Sequence, residues 1–298
     1  MFISQKLCPS ISGHKDINFV DVNKNGDSLI FIDPCLISQN YDEWSQKAKK
    51  VIDSFFKEFY RLYGTNAPYS EKWDFFNHSH EINATKTGYG SGNNGKAKTA
   101  EGMIDTFSGV TELIHKGVDM SEPQDLTLFV ERFGEDCLSD VLTNVLVKLL
   151  MDFTVEQCKI WNYPTVAAPK GYYFWSVEDN TWVEYKGQCL MIEEEVILLL
   201  PKNFVRHRYG FSVGHYLAAV ILEHMQDEES TVDNLGKVHR PTKKALKEKY
   251  TEDCSARECI TEFTVKRPKY LEDYHHILPL KYHNAQLTDI ELDAIIYN

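Results

Sequence analysis

Hydrophobic residues recur every three or four positions over long stretches of this chain. In residues 42–64, the side chains of Ile52, Phe55 and Phe59 fall on one face of a helix, and polar residues occupy the other face. Gly64 follows the last apolar position, where glycine commonly ends a helix. The pattern predicts an amphipathic helix over the whole stretch.

The same spacing predicts further helices. They cover residues 99–117, 122–162 and 211–228, and two more charged helices are expected from residue 240 onward. Gly134 is expected to divide the second of these stretches into a short helix and a long one.

Other stretches alternate between apolar and polar residues, as strands do. Residues 16–37 predict two strands around the Asn25–Gly26 turn, and the second ends at Pro34, which has no amide hydrogen for a ladder. Three more strands are expected near residues 172–177, 181–186 and 195–200.

Together these elements predict an α/β fold of the α+β kind. It has a mixed or antiparallel sheet flanked by several helices, and a helical C-terminal portion. Residues 230–240 are polar and rich in turn formers. We therefore expect a main α/β domain over residues 1–235 and a helical C-terminal extension over residues 236–298.

Composition narrows the choice of function. The chain has 298 residues, of which 43% are hydrophobic and 26% charged, as in globular proteins. Its net charge of −12 disfavours a general nucleic-acid coat protein, although a local basic patch still allows nucleic acid to bind. Seven cysteines without a CxxC pair indicate reduced thiols in the cytoplasm. No apolar run approaches the ~18 residues of a membrane span, so no membrane association is expected.

The segment GYGSGNNGKAKT, residues 88–99, contains the GxxxxGK skeleton of a phosphate-binding P-loop. Two features argue against nucleotide hydrolysis. The preceding residues are polar instead of a buried strand, and Ala97 stands where a P-loop carries the hydroxyl that binds magnesium. Two interpretations remain: the loop contacts a phosphate, or it is a solvated surface loop. The candidate phosphate-binding residues are Lys86, Gly90, Gly92, Gly95, Lys96 and Lys98.

A stripe of polar residues runs along one predicted helix. Asp136, Asp140 and Asn144 are spaced by four, which places them on one helical face. Carboxylates one turn apart can hold a divalent cation, with the asparagine as a neutral oxygen ligand. Alternatively, the stripe is the solvent face of an amphipathic helix. We interpret Asp136 and Asp140 as candidate metal ligands and catalytic acids.

The VEYKG segment places Glu184 and Lys186 on one face of a predicted strand. Metal-dependent nucleases often combine an acid with such a Glu-x-Lys pair, in which the glutamate holds the metal and the lysine activates water. An exposed strand of alternating charge is the alternative.

The HSHE segment carries His78 and His80 beside Glu81, which is a pair of imidazoles with metal-ligand spacing or a set of ordinary surface residues. Basic clusters occupy residues 202–208 and 237–249. They face a nucleic acid or an acidic partner, or they are solvated.

Four segments stand out in order along the chain: LIFIDPCLI, HEINATKTGYGSGNNGKA, FGEDCLSDVLTNVLVKLLMDFT and VILLLPKNFV. Their order and spacing resemble an uncharacterised family of bacterial cytoplasmic proteins, some of them from phage-defence loci. The resemblance covers roughly residues 14–210 and rests most specifically on Asp136 to Asp140. It implies a bacterial, cytoplasmic protein with a role in defence, and it supplies no catalytic residues.

Two functions follow as hypotheses. The first is a defence effector that cleaves phosphodiesters as a metal-dependent nuclease. It would use Mg²⁺ or another divalent cation, acids from Asp136, Asp140 and Glu184, and Lys186 as helper. The second is a non-enzymatic sensor or regulatory subunit that docks on a partner ATPase or effector, which the charged C-terminal helices favour. A nucleoside triphosphatase ranks last. Nucleic acid and a partner protein of a multi-component defence system are the expected partners, and the oligomeric state stays open.

Overall fold

The structure is a computed structural model that describes residues 1–79, 82–90, 99–282 and 285–297. The α-helices of these ranges are α1 (Ser4–Leu7), α2 (Pro34–Gln39), α3 (Glu43–Gly64), α4 (Tyr69–Phe76), α5 (Ala100–Thr106), α6 (Val110–His115), α7 (Pro123–Phe129), α8 (Glu135–Val145), α9 (Val147–Ile160), α10 (Val213–Tyr216), α11 (Leu222–Glu228), α12 (Lys243–Tyr250), α13 (Ala256–Lys266), α14 (Lys269–Tyr282) and α15 (Asp289–Ile296). The strands are β1 (Phe31–Ile32), β2 (Val166–Ala167), β3 (Tyr173–Ser176), β4 (Thr181–Glu184), β5 (Gln188–Ile192), β6 (Glu195–Ile197), β7 (Val205–Arg206), β8 (Thr231–Val232) and β9 (Val238–His239).

Helix α3 confirms the helix that the apolar spacing predicts. The Asp42 side chain begins it by accepting a hydrogen bond from the Ser45 amide at 3.0 Å. Its apolar face lies at the centre of an aromatic cluster, where the Phe55 ring stacks on Phe75 with centroids 4.6 Å apart. The helix therefore organises the core by burying one continuous stripe.

The strands form small antiparallel sheets. In β3–β4, Trp175 lies opposite Trp182, and both indoles are buried against Phe55. β1 pairs with β7, and β5 lies between β2 and β6. The predicted fold class is confirmed: helices surround small antiparallel sheets, and the C-terminal region is helical. Among the helices of the described residues, none combines the length and apolar character that crossing a bilayer requires.

One predicted strand is wrong. Asp16 ends a 3₁₀ turn, and Ile17, Phe19, Val20 and Val22 are buried without forming a strand. Within residues 16–37 the only strand is β1 (Phe31–Ile32). Phe19 makes an isolated bridge to Pro201, and the Val20 amide donates to the Leu200 carbonyl at 2.8 Å. Because Pro201 has no amide hydrogen, a regular ladder ends there.

The C-terminal helices are also more numerous than predicted. Where two charged helices are expected over residues 240–278, three begin: α12, α13 and α14. Ser255 and Glu258 form a capping box that starts α13, and Pro268 separates α13 from α14. Residues Leu217–Ile221 form a π-helical segment between α10 and α11.

The C-terminal helices pack back onto the earlier part of the chain. The Arg257 guanidinium donates hydrogen bonds of 2.6–3.0 Å to three backbone carbonyls at the end of α7. Thr127 and Leu128 lie in the last turn of that helix, and Val130 follows it. His275 meets the buried Asp125 carboxylate at 2.7 Å. These contacts join the two parts, whereas their division at residue 235 stays a prediction.

A buried histidine ties α15 to the start of the chain. The Nδ1 atom of His14 lies 2.6 Å from the Asp293 carboxylate, and the Asp21 amide donates to Nε2 at 3.1 Å. Because the Asp21 amide needs an acceptor, Nε2 carries no proton and Nδ1–H points to Asp293. Both ring nitrogens are occupied, so this pair is structural and has no nitrogen left to act as a general base.

Asp33 is fully buried where β1 enters α2. One of its oxygens caps α2 by accepting a hydrogen bond from the Cys35 amide at 2.9 Å, and the other accepts one from the Tyr282 hydroxyl at 2.8 Å. Burial raises the pKa of Asp33 to about 7, against the opposing effect of the Tyr282 hydrogen bond.

The raised pKa of Asp33 predicts a pH-dependent stability. Between about pH 4 and 7 the folded state keeps the proton that the unfolded chain has lost, so the free energy of unfolding declines as pH rises through this window. In Asp33→Asn, which keeps a cap oxygen, we expect a flatter profile. Urea unfolding of both proteins from pH 4 to pH 8 measures the two slopes, and parallel profiles would contradict the assignment.

Candidate functional site

Three of the segments singled out in the sequence meet at one place. The Ile32 amide of β1 donates to the Ser139 hydroxyl of α8 at 3.0 Å. The turn of residues 88–90 lies on the first turn of the same helix. We call the set Gly88–Gly90, Glu135, Asp136 and Asp140 the glycine–acid junction.

The glycine turn is fitted directly onto Asp136. Gly88 has a φ of +130°, and a Cβ atom placed there would lie 2.6 Å from an Asp136 carboxylate oxygen. The same oxygen accepts a hydrogen bond from the Tyr89 amide at 3.3 Å. Only glycine combines this backbone angle with so close an approach. The carboxylate stripe and the start of the glycine-rich segment are therefore parts of one structure.

Glu135 holds two tyrosines at the junction. Its carboxylate accepts a hydrogen bond from the Tyr89 hydroxyl at 2.9 Å and another from the Tyr209 amide at 2.7 Å. Burial, followed by the hydrogen bond to Glu135, raises the pKa of Tyr89 to about 12, while the Arg208 cation opposes the rise. Tyr89 therefore stays protonated at neutral pH and acts here as a donor.

Sequence reasoning did not identify Tyr89 and Tyr209 as part of the site. The signal that was available is their setting, since Tyr89 lies between two glycines and Tyr209 ends the basic segment RHRY. Hydrogen bonds between residues so far apart in sequence leave no periodic pattern that could predict them.

Asp140 lies one turn beyond Asp136, and both carboxylates are half-buried. The described residues contain no group of three or more His, Cys, Asp or Glu side chains that could hold a metal ion. Mg²⁺ is commonly bound by one or two carboxylates together with waters and substrate phosphates. A two-carboxylate stripe is compatible with that mode of binding and not with a closed, protein-only site.

The predicted phosphate-binding residues have different positions. Lys86 is buried in a left-handed conformation, with its ammonium 3.0 Å from the Glu195 carboxylate. Gly90 is exposed, has a φ of +82° and has open space where a Cβ would stand. The remaining four, Gly92, Gly95, Lys96 and Lys98, lie outside the described residues.

Glu184 and Lys186 lie on a different element from the stripe. Glu184 ends β4, and its carboxylate accepts a hydrogen bond from the Gly171 amide at 3.3 Å. Lys186 follows in the exposed turn after that strand. Across the hairpin from Glu184, Tyr173 stacks on His78 with ring centroids 3.7 Å apart. The other two members of the HSHE segment, His80 and Glu81, lie outside the described residues.

Several residues of the basic clusters are engaged within the chain. Lys202 binds Asp289 at 2.6 Å, and Arg206 donates to the Ala285 carbonyl at 3.1 Å, so both hold the C-terminal segment. In the second cluster, Arg240 and Lys243 pair with Glu223, and Lys249 pairs with Glu229. These cations balance acids of the same chain.

The fit of Gly88 on Asp136 generates a prediction with its own control. Gly88→Ala introduces backbone strain of about 1–3 kcal/mol and, in addition, the contact with Asp136. Gly90→Ala introduces strain alone. We expect Gly88→Ala to be the more destabilising, and Asp136→Ala to reduce its cost but not that of Gly90→Ala. Urea unfolding of the single and double variants measures this coupling, and additive effects would show that the two residues do not touch.

Comparison with known proteins places the chain in a family. Searches of the curated proteins and of the solved structures each found no match. A family model described as a domain of unknown function, DUF8370, matches residues 10–212, which is more than half of the chain. This range includes the glycine–acid junction and ends before α10. The chain belongs to the family of the domain of unknown function DUF8370.

Proposed function

We propose that the chain is a bacterial defence effector that hydrolyses phosphodiesters with the help of a divalent cation at the glycine–acid junction. One observation carries the proposal: the backbone that leads into the glycine- and lysine-rich segment packs directly against Asp136. A Cβ atom placed at Gly88 would lie 2.6 Å from an Asp136 carboxylate oxygen. Acids suited to a cation therefore contact the residues that lead into a segment whose sequence suits phosphate.

The proposed chemistry assigns each part a role. Asp136 and Asp140 would hold Mg²⁺ or another divalent cation, which would supply positive charge to neutralise the phosphate. Water adds to phosphorus, the ester P–O bond breaks, and the leaving oxygen takes a proton. Lys96 and Lys98 are the proposed partners of the phosphate oxygens. Glu184 and Lys186 keep their proposed roles as further acid and helper, which single substitutions test.

The assignment of the acids predicts a loss of hydrolysis in Asp140→Asn. This isosteric change removes one anionic ligand, and we expect at least a hundredfold drop in cleavage of nucleic acid with Mg²⁺ or Mn²⁺, the scale on which a transition-state contact of about 3 kcal/mol acts. The matched control is Asp152→Asn on α9, whose carboxylate is exposed and paired with Lys148. Single- and double-stranded DNA and RNA are tested in parallel. Equal activity of both variants, or no cleavage of any substrate by the unmodified chain, would contradict the proposal.

A second candidate function is the regulatory subunit that docks on a partner protein. It is favoured by the β8–β9 hairpin, where Val232, Leu235 and Val238 are 67%, 94% and 61% exposed. The turn is held by Asp233, whose carboxylate accepts hydrogen bonds from the Leu235 and Lys237 amides at 2.9 Å. A turn fixed in this way presents its apolar side chains at little entropic cost to a partner.

The docking role predicts a phenotype without a change in stability. In the double variant Val232→Ser and Leu235→Ser, we expect the free energy of unfolding to stay within about 0.5 kcal/mol, because both side chains are exposed. Protection of cells against phage, measured by plaque counts, should fall. Leu280→Ser on α14, which is 78% exposed, is the matched control. Full protection by the double variant would exclude docking through this hairpin.

A further inference from the structure

Asn144 carries a buried oxygen that the surrounding protein does not satisfy. The residue is 0% exposed, and its Nδ2 atom donates to the Asp140 carbonyl at 2.9 Å and to the Ser79 carbonyl at 3.4 Å. Its Oδ1 atom is buried and has no hydrogen-bond partner in the part of the chain that the structure describes. A buried acceptor left without a partner costs about 1–3 kcal/mol, so it points to a group that binds there.

The orientation of this amide is fixed by its neighbours. A flipped amide would place Oδ1 against the Asp140 and Ser79 carbonyl oxygens and would lose both hydrogen bonds. The orphaned atom is therefore the oxygen, which can accept a hydrogen bond or bind a cation.

The amide that carries this oxygen lies next to Asp140. The two residues are one helical turn apart, which brings their Cβ atoms within about 6 Å. The hydrogen bond to the Asp140 carbonyl folds the amide back over the turn that carries the Asp140 side chain. Asn144 also lies in the last turn of α8, where the helix dipole attracts positive charge.

Asp136 lies at the other end of the helix, in its first turn, where the dipole favours an anion and disfavours a cation. One of its oxygens already receives the Tyr89 amide and faces Gly88. The stripe thus has an end that holds backbone and an end that carries the unsatisfied Asn144 oxygen.

We propose that the Asp140 carboxylate and the Asn144 Oδ1 atom bind one divalent cation. This refines the ligand pair of the proposed function: Asn144 takes the place of Asp136 beside Asp140, and Asp136 positions the glycine turn. Carboxylate and amide oxygens are hard ligands, which suit Mg²⁺, Mn²⁺ or Ca²⁺. A role for this site in hydrolysis rests on the proposed function, whereas the binding of a cation does not.

The decisive variant is Asn144→Asp. Without metal, it sets a second carboxylate beside Asp140 in a buried position, so we expect a lower melting temperature than in the unmodified chain. With Mn²⁺, the added charge becomes a ligand, and we expect the melting temperature to recover and Mn²⁺ to bind about tenfold more tightly. Asn144→Leu should weaken Mn²⁺ binding by about tenfold or more. Calorimetric titration and thermal unfolding with Mn²⁺ or EDTA measure these effects.

The control for a buried amide-to-acid change is Gln157→Glu on α9, where Gln157 is 3% exposed. We expect it to be destabilised without recovery in Mn²⁺. Equal responses of Asn144→Asp and Gln157→Glu to Mn²⁺, as expected if a water satisfies Oδ1, would overturn the proposal. So would unchanged Mn²⁺ binding in Asn144→Leu.

The two proposals fail in different ways. If Asp140→Asn abolishes hydrolysis while Asn144→Leu binds Mn²⁺ like the unmodified chain, the role of Asn144 is wrong and the proposed function stands. If Asn144→Asp recovers in Mn²⁺ but the unmodified chain cleaves no nucleic acid, the cation site stands and the proposed function is wrong.

Discussion

Asp33 is wholly buried, and its two oxygens accept hydrogen bonds from the Cys35 amide and the Tyr282 hydroxyl. A buried carboxyl group is costly unless it is satisfied or protonated. Here the same group caps α2, ends β1 and fixes the last residue of α14. The Tyr282 oxygen also accepts a hydrogen bond from the Gly210 amide at 2.7 Å, which extends the connection to the segment after β7. The position of β1, and through it that of α8, depends on this network.

The glycine–acid junction is built on that framework. β1 positions Ser139 of α8, and the first turn of α8 receives the glycine turn through Asp136 and Tyr89 through Glu135. Each carboxylate at this end of the helix is thereby engaged with backbone or tyrosine. Further along, Asn144 carries a buried amide oxygen that has no hydrogen-bond partner among the described residues. The eleven-residue helix thus anchors backbone and tyrosine at one end, and the proposed cation pair lies toward its other end.

Periodic features of the molecule could be predicted from the sequence, and contacts between distant residues could not. The amphipathic face of α3 and the single-sided stripe of α8 follow from side-chain spacing, because helical geometry repeats along the chain. The sequence does not predict that β6 pairs with β5, because the turn between them uses Glu193 and Glu194 at positive φ instead of Asn-Gly. The fit of Gly88 on Asp136 required a tertiary contact that no pattern records. For the same reason the proposed roles of Asp136, Asp140 and Asn144 could not be told apart from the sequence.

The bond between Asp33 and Tyr282 also bears on the order of events during synthesis. Asp33 and Tyr282 are 249 positions apart in the sequence, and His14 and Asp293 are 279 positions apart. Contacts of such sequence separation form late, after the cost of closing a long loop has been met. The end of β1 therefore remains open to water on the ribosome until α14 has emerged. A nascent chain would acquire the segments of its family domain early and their final arrangement only after α14 and α15 have been synthesised.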